Sequence, residues 1–219
     1  AMSGTNELPH SLTLGDDGKL YGVTTYGGVV CDAYPGCGTI FRLNPVEPGD
    51  PNVQFETIYS FNNAVPTYRT NHPQRQLIYG SDGWLYGQTY YYVFRIDPNA
   101  AVPASTFEFV WQSGVGVSVS TIEGADGRLY VADYTATAGA GTIVSFNKDG
   151  SDVQTLRTFS FSSGLGAYGP YGFLFRTAAG DIYGTTEYSN NDKGTVFVIY
   201  DRNLASNEYI LSGSADGRA

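Results

Sequence analysis

The chain contains few cysteine, histidine, methionine and charged residues. Its 219 residues include two cysteines, two histidines and one methionine, and 15% of them are charged. So few histidines and cysteines do not indicate a zinc site built from several such ligands. The small charged fraction, and the lack of segments with helical i, i+3, i+4 spacing of apolar residues, disfavour a helical fold.

Positive charge is also scarce. Lysine and arginine total 12 against 21 acidic residues, which gives a net charge of −9 and an isoelectric point near 4.5. Nucleic-acid binding requires a basic surface that neutralises phosphates, so we predict no nucleic-acid partner. No stretch approaches the ~18–20 apolar residues of a membrane-spanning helix, and we predict no direct membrane insertion.

The beginning of the chain does not resemble a folded element. Ala1-Met2-Ser3-Gly4 resembles the remnant of a purification tag, and we assign residues 1–6 to a remnant or linker. Residues 7–219 are predicted to form a single domain within a larger multidomain protein. We expect a native targeting segment to precede this domain in the larger protein.

The abundant residues, 28 glycines and 18 tyrosines, recur in a pattern. Four times a tight turn runs into a short aromatic strand of the type Leu-Tyr-Gly. The tyrosines of these strands are at positions 21, 86, 130 and 183, so they recur every 44 to 65 residues (130 − 86 = 44; 86 − 21 = 65). A period of roughly 40–50 residues in which every segment is strand-like is typical of a β-propeller.

Each repeat contains four strand candidates, and Asp-Gly turns join the first two strands in three of them. The repeats are predicted at about residues 7–63, 64–114, 115–164 and 165–219. The sequence therefore predicts an all-β fold, a β-propeller of four four-stranded antiparallel blades. The alternative is that the chain is a fragment of a larger propeller.

The repeats resemble a named family, and the first and fourth repeats match the second half of its motif well. Asp17–Thr25 reads Asp-Gly-x-Leu-Tyr-Gly-x-Thr-Thr, and Gly38–Phe41 and Gly194–Phe197 both match Gly-Thr-[Ile/Val]-Phe. This combination is similar to the GloVer tandem repeat of bacterial choice-of-anchor surface proteins. The resemblance extends from about Leu8 to the end of the chain and implies a secreted or surface location. It implies no shared catalytic residues.

The two cysteines lie close together in the sequence. Cys31 and Cys37 enclose five residues that include Pro35-Gly36, which favours a chain reversal. We predict that they form a disulfide; the alternative, half of a metal site, lacks a second cysteine pair or a nearby histidine. A disulfide favours an extracellular, cell-surface or periplasmic location.

Candidate ligand-binding residues lie in the loops between second and third strands and in the links between blades. These segments are rich in Tyr, Asn, Gly and Ser, which stack on and hydrogen-bond sugars or peptides. The candidates are Tyr26, Tyr34, Tyr68, Arg69, His72, Tyr90, Tyr91, Tyr168 and Tyr188. The alternatives are that the aromatic rings pack between blades and that the link residues form a solvated loop.

The sequence indicates no catalytic constellation, metal site or cofactor. His10 and His72 are distant in sequence, and no nucleophile elbow, HExxH motif or dinucleotide fingerprint occurs. We predict a secreted or surface module with a binding or scaffolding role, with a polysaccharide or a surface protein as partner. The alternatives are a lactonase- or lyase-type enzyme with a metal or acidic residues at a central channel, and a purely structural spacer or assembly unit.

Overall fold

The computed structural model describes residues 11–31, 36–45, 54–62, 70–113, 118–134, 140–160, 169–187, 189, 194–200 and 206–210. Contacts between Cα atoms divide the chain into two compact units, Ala1–Gln112 and Ser113–Ala219. Each unit contains two four-stranded sheets. That residues 7–219 form one domain stays a prediction.

Unit 1 contains two antiparallel blades in which the strands lie in sequence order. Those of blade 1 are β1 (Thr13–Leu14), β2 (Leu20–Thr24), β3 (Thr39–Leu43) and β4 (Phe55–Ser60). Those of blade 2 are β5 (Gln74–Tyr79), β6 (Leu85–Gln88), β7 (Tyr92–Ile96) and β8 (Glu108–Gln112). A 3-10 turn, Pro103–Thr106, precedes β8.

Unit 2 repeats this arrangement. The strands of blade 3 are β9 (Ser118–Glu123), β10 (Leu129–Asp133), β11 (Thr142–Phe146) and β12 (Gln154–Thr158). Those of blade 4 are β13 (Phe175–Arg176), β14 (Ile182–Thr186), β15 (Thr195–Ile199) and β16 (Ser206–Ile210). All pairings within the four blades are antiparallel. The predicted all-β fold with four four-stranded blades is confirmed.

The repeated Asp-Gly turns place an aspartate beside the tyrosine of the next strand. In blade 2, Asp82 accepts a hydrogen bond from the backbone N–H of Trp84 and another, of 2.6 Å, from the Tyr86 hydroxyl. Burial, and then this bond to a carboxylate, raise the pKa of Tyr86, so the phenol stays protonated and donates. Equivalent tyrosine–aspartate bonds occur in blades 1 and 3, between Tyr21 and Asp17 and between Tyr130 and Asp126. The aspartates thus have the predicted turn role and a second role that the motif alone did not reveal.

A glycine faces a phenylalanine across the second and third strands of three blades. Gly22 pairs with Phe41, Gly87 with Phe94 and Gly184 with Phe197. A Cβ atom added to any of these glycines would overlap the facing ring. In blade 3 the same pair is Val131 and Val144. The glycine of Leu-Tyr-Gly is therefore required by the facing ring, and two medium-sized residues replace the pair in blade 3.

Successive residues of a strand point to opposite faces, so each blade has two faces. We call the face with the glycine–phenylalanine pair the front face, and the face with the preceding tyrosine the back face. In unit 1, the back face of blade 1 and the front face of blade 2 share one core. Tyr59 of blade 1 stacks on Phe107 at 3.9 Å between ring centroids, and Phe61 meets Phe94 at 5.5 Å.

Unit 2 has the same packing order. The back face of blade 3 and the front face of blade 4 share a second core. Phe159, which follows β12, lies 5.2 Å from Phe197 between ring centroids. The hydroxyl oxygen of Ser120 in β9 accepts a hydrogen bond from the backbone N–H of Leu174, the residue before β13. This bond joins the first-strand regions of blades 3 and 4. In both units, the back face of one blade thus covers the front face of the next.

The described residues contain no helix that is both long and apolar enough to span a membrane.

Candidate functional site

In unit 1, the connection between β2 and β3 lies at the same end of the blade as the start of the link to blade 2. We call this end of each blade the loop end. Cys31 and Cys37 are bonded to each other there, with 5.3 Å between Cα atoms, which confirms the predicted disulfide. Both cysteines are buried in the core of unit 1. The disulfide therefore belongs to the packed interior as well as to the loop.

The link between blades 1 and 2 is held directly by this disulfide loop. The backbone N–H of His72 donates to the carbonyl oxygen of Cys37 at 2.8 Å. The side-chain amide of Asn71, which is buried, lies 3.5 Å and 3.7 Å from the sulfur atoms of Cys31 and Cys37. A buried amide without a hydrogen-bond partner would destabilise the fold, because water cannot reach it. These contacts with the sulfur atoms therefore stabilise the link. Asn71 was not among the predicted site residues, although its sequence position beside His72 was available as a signal.

The structure brings two predicted ligand-binding residues together. The rings of Tyr26 and His72 meet edge to face with 5.4 Å between centroids, and Nδ1 of His72 lies 2.6 Å from Oδ1 of Asn71. His72 is only 6% exposed, so its placement supports the packing alternative. Direct ligand binding by His72 stays a prediction.

His72 also has an unusual backbone conformation. Its φ of 57° lies in the left-handed region, which few residues other than glycine adopt without strain. The equivalent position in unit 2 is Gly169, with a φ of 71° and a matching hydrogen bond to the carbonyl oxygen of Ala140. Each of these residues is followed by a proline, Pro73 or Pro170. Blade 2 therefore has a strained histidine where blade 4 has an unstrained glycine.

The buried imidazole makes stability depend on pH. Burial lowers the pKa of His72, and a hydrogen bond with the backbone of Gly36, which favours the protonated ring, opposes this shift. The unfolded state then binds more protons, so stability is lost as pH falls from the ordinary histidine pKa of about 6.5 through the folded-state value. We expect His72→Asn, which tolerates a positive φ, to flatten this loss between about pH 7 and pH 5. Urea unfolding at several pH values measures the free energy of unfolding. An equal pH dependence of this free energy in the wild type and in His72→Asn would contradict the prediction.

The disulfide supports both the loop and the link. We expect the double variant Cys31→Ser, Cys37→Ser to remain folded and to lose about 2–3 kcal/mol of stability, because the unfolded chain gains freedom. Cleavage within residues 27–38 by a protease should accelerate, whereas Val30→Ala, an exposed change in the same loop, should cleave at the wild-type rate. Two reactive thiols in the unreduced wild-type protein would refute the bridge itself.

A second aromatic pair lies at the loop end of blade 2. Tyr90 and Tyr91 occupy the short connection between β6 and β7, with 4.9 Å between ring centroids and an interplanar angle of 51°. Both rings are half-buried. The backbone N–H of Thr89 donates to the carbonyl of Tyr92, and its hydroxyl oxygen accepts from the N–H of Tyr92. The turn is thus closed tightly beneath two tyrosines that remain accessible.

Unit 2 has an aromatic pair at the loop end of blade 3. Tyr134 follows β10 and meets Tyr171 of the next link edge to face, with 5.4 Å between centroids. Tyr171 is 48% exposed. Neither tyrosine was predicted as a site residue, although both lie in or beside segments of the same type as those that were chosen.

A buried carboxylate distinguishes the loop end of blade 3. Asp133 ends β10 and accepts a 2.7 Å hydrogen bond from the hydroxyl of Ser113. Blades 1 and 4 have paired threonines here, with 2.8 Å between the Oγ1 atoms of Thr24 and Thr39. The signal that was missed is this departure from the threonine of the repeat.

The remaining predicted ligand-binding residues, Tyr34, Tyr68, Arg69, Tyr168 and Tyr188, lie outside the described residues. Within the described part of the chain, no three or more His, Cys, Asp or Glu side chains are grouped so that they could hold a metal ion. The loop ends thus offer aromatic rings, amides and hydroxyls. These groups suit reversible binding by stacking and hydrogen bonds.

No protein-family model matches the chain, and no curated protein matches it. Its structure is similar to that of a catalytically inactive virginiamycin B lyase from Staphylococcus aureus with quinupristin: 15% identity, TM-score 0.64, and coverage of 98% of this chain and 59% of that chain. It is also similar to a carbohydrate-active enzyme of family AA12 from Trichoderma reesei: 13% identity, TM-score 0.58, coverage 94% and 55%.

A third similar structure is the extracellular domain of a candidate hybrid two-component system from B. thetaiotaomicron: 15% identity, TM-score 0.58, and coverage of 83% of this chain and 20% of that chain. The chain spans 59% of the length of the lyase chain that it matches. At these identities the likeness shows the fold alone. By its strands, its pairing and these likenesses, the chain is a β-propeller protein with four four-stranded blades.

Proposed function

We propose that the chain is an extracellular or cell-surface propeller module that binds a ligand at the loop ends of its blades, with carbohydrate as the ligand class. The observation that carries this proposal is the presence of accessible aromatic pairs at these ends in both units. They are Tyr90 with Tyr91 and Tyr134 with Tyr171. A phenol ring offers an apolar face for sugar C–H groups and a hydroxyl for hydrogen bonding.

Covalent and hydrogen bonds within the chain hold the loop ends of blades 1 and 2. The disulfide loop and Asn71 hold the link beside Tyr26, and a closed turn holds Tyr90 and Tyr91. Preorganisation lowers the entropy lost on binding. The disulfide also supports an oxidising compartment, and one of the similar structures is named as an extracellular domain.

A glycan array followed by calorimetry with the best soluble polysaccharide tests the proposal. We expect Tyr91→Ala and Tyr171→Ala each to weaken binding about 5- to 30-fold, as the loss of 1–2 kcal/mol of ring contact predicts. Trp84→Ala removes an aromatic ring from the turn between β5 and β6, at the opposite end of the blade, and should bind as wild type. Flat arrays, or equal losses in all three variants, would refute carbohydrate binding at the loop ends.

A further inference from the structure

The front face of blade 1 has an exposed apolar edge at its first and fourth strands. Leu12 and Leu14 are 45% and 64% exposed, and Phe55 at the start of β4 is 40% exposed. All three lie on the side of the Gly22–Phe41 pair, as register and alternation show. Water therefore contacts a face that the sequence has built from leucine and phenylalanine.

In blades 2 and 4, the front face is covered by the preceding blade of the same unit. Leu77 of blade 2 is equivalent to Leu12, since each lies ten residues before the glycine of its pair, and Leu77 is only 1% exposed. Phe107, equivalent to Phe55, stacks on Tyr59 of blade 1. Leu174 in blade 4 is likewise buried, in the core that contains Phe159 of blade 3. The occupant of a front face is thus the back face of another blade.

The back face of blade 4 is exposed along its first strand. Phe175 in β13 and Phe173, two residues before it, are 66% and 65% exposed. Phe175 pairs with Tyr183 and so lies on the back face. The equivalent residue of blade 3, Ile122, packs against the core of unit 2. Blade 4 therefore offers the apolar surface that the front face of blade 1 lacks.

We propose that two copies of this chain associate head to tail, with the back face of blade 4 in one copy covering the front face of blade 1 in the other. The argument is complementarity: among the described residues, the front face of blade 1 and the back face of blade 4 have exposed apolar side chains, and the structure shows twice, inside its units, that a back face packs on a front face. In a closed pair, each copy uses both of its surfaces, which gives two such contacts in total. If the pair does not close, the contacts continue into longer assemblies. This interface does not depend on the proposed ligand binding.

Light scattering after size exclusion, from micromolar to millimolar concentration, tests the association. Two copies give 2 × 23.6 = 47.2 kDa. Leu14→Glu and Phe175→Glu each place a charge in the contact, so each should weaken association at least ~10-fold. Because both side chains are exposed in the single chain, both variants should fold, which circular dichroism checks. Val102→Glu, an exposed loop change outside both faces, should keep the wild-type mass.

Mixing the two impaired variants distinguishes a head-to-tail contact from a symmetric one. The Leu14→Glu chain retains an intact back face and the Phe175→Glu chain an intact front face, so a mixture should form pairs through one wild-type contact. A wild-type protein that stays at 23.6 kDa at all concentrations would overturn the proposal. So would association that neither variant weakens, or a mixture that stays monomeric.

Discussion

Gly87→Val should be among the most destabilising single changes in this protein, with a loss of about 2–4 kcal/mol. A Cβ at Gly87 would overlap the ring of Phe94 and lie 2.5 Å from Cδ2 of Leu77. All three residues are buried, so the neighbours can relieve the overlap only by leaving their rotamers or moving the strand. The free energy of unfolding in urea measures the loss.

The packing of blade 3 indicates how this loss can be reversed. There the equivalent pair is Val131 with Val144, and Thr121 occupies the position of Leu77. Phe94→Val alone should cost about 2–4 kcal/mol by leaving a cavity. Combined with Gly87→Val it should cost less than the sum of the two single changes, by at least about 1 kcal/mol, because the valine side chain fills the space that the ring vacates.

A double-mutant cycle in urea gives this coupling energy. Adding Leu77→Thr to the pair reproduces the blade 3 combination and should remove the remaining overlap at that atom. If the costs of Gly87→Val and Phe94→Val simply add, the glycine and the ring do not compete for one volume. The facing ring would then not be the reason for the glycine of Leu-Tyr-Gly.

Gly38→Ala should cost a similar amount, about 2–4 kcal/mol, for two reasons that a control can separate. Gly38 has a φ of 97°, which L residues rarely adopt, and a Cβ there would overlap Pro73 and lie 2.6 Å from the carbonyl oxygen of Thr24. The chain cannot relax easily, because the carbonyl of Gly38 also accepts a hydrogen bond from the N–H of Phe61. The destabilisation should therefore be localised where blade 1 contacts the link to blade 2.

Gly18→Ala is the matched control for the backbone contribution. Gly18 has a φ of 76°, but no atom lies within 4 Å of the Cβ position, so the change should cost only about 1 kcal/mol. Gly141→Ala repeats the test in unit 2, where a φ of 96° and an overlap with Pro170 reproduce the conditions at Gly38. Equal losses at positions 18 and 38 would show that the contact with Pro73 contributes nothing.

The sequence by itself determined the class of fold, because the signals for it are local. These signals are the Asp-Gly turns, the aromatic strands that follow them and the recurrence of this turn-and-strand pattern. Each turn and strand depends on residues close together in the chain, and together they predicted four four-stranded blades. The Cys31–Cys37 disulfide was predictable for the same reason, since only five residues separate the cysteines and Pro35-Gly36 favours a reversal. These predictions are confirmed.

Only the tertiary structure decided which residues contact each other between blades. Asn71 reaches the disulfide across a separation of 40 residues from Cys31, and Thr25 donates to the carbonyl of Pro73 across 48. No local pattern encodes such pairs, because they depend on how one blade packs on the next. The same packing buries His72, which had the residue type of a ligand contact, and leaves Phe175 exposed, which had the residue type of a core position. Burial is a property of the assembled faces, and the sequence of one strand does not state which face is covered.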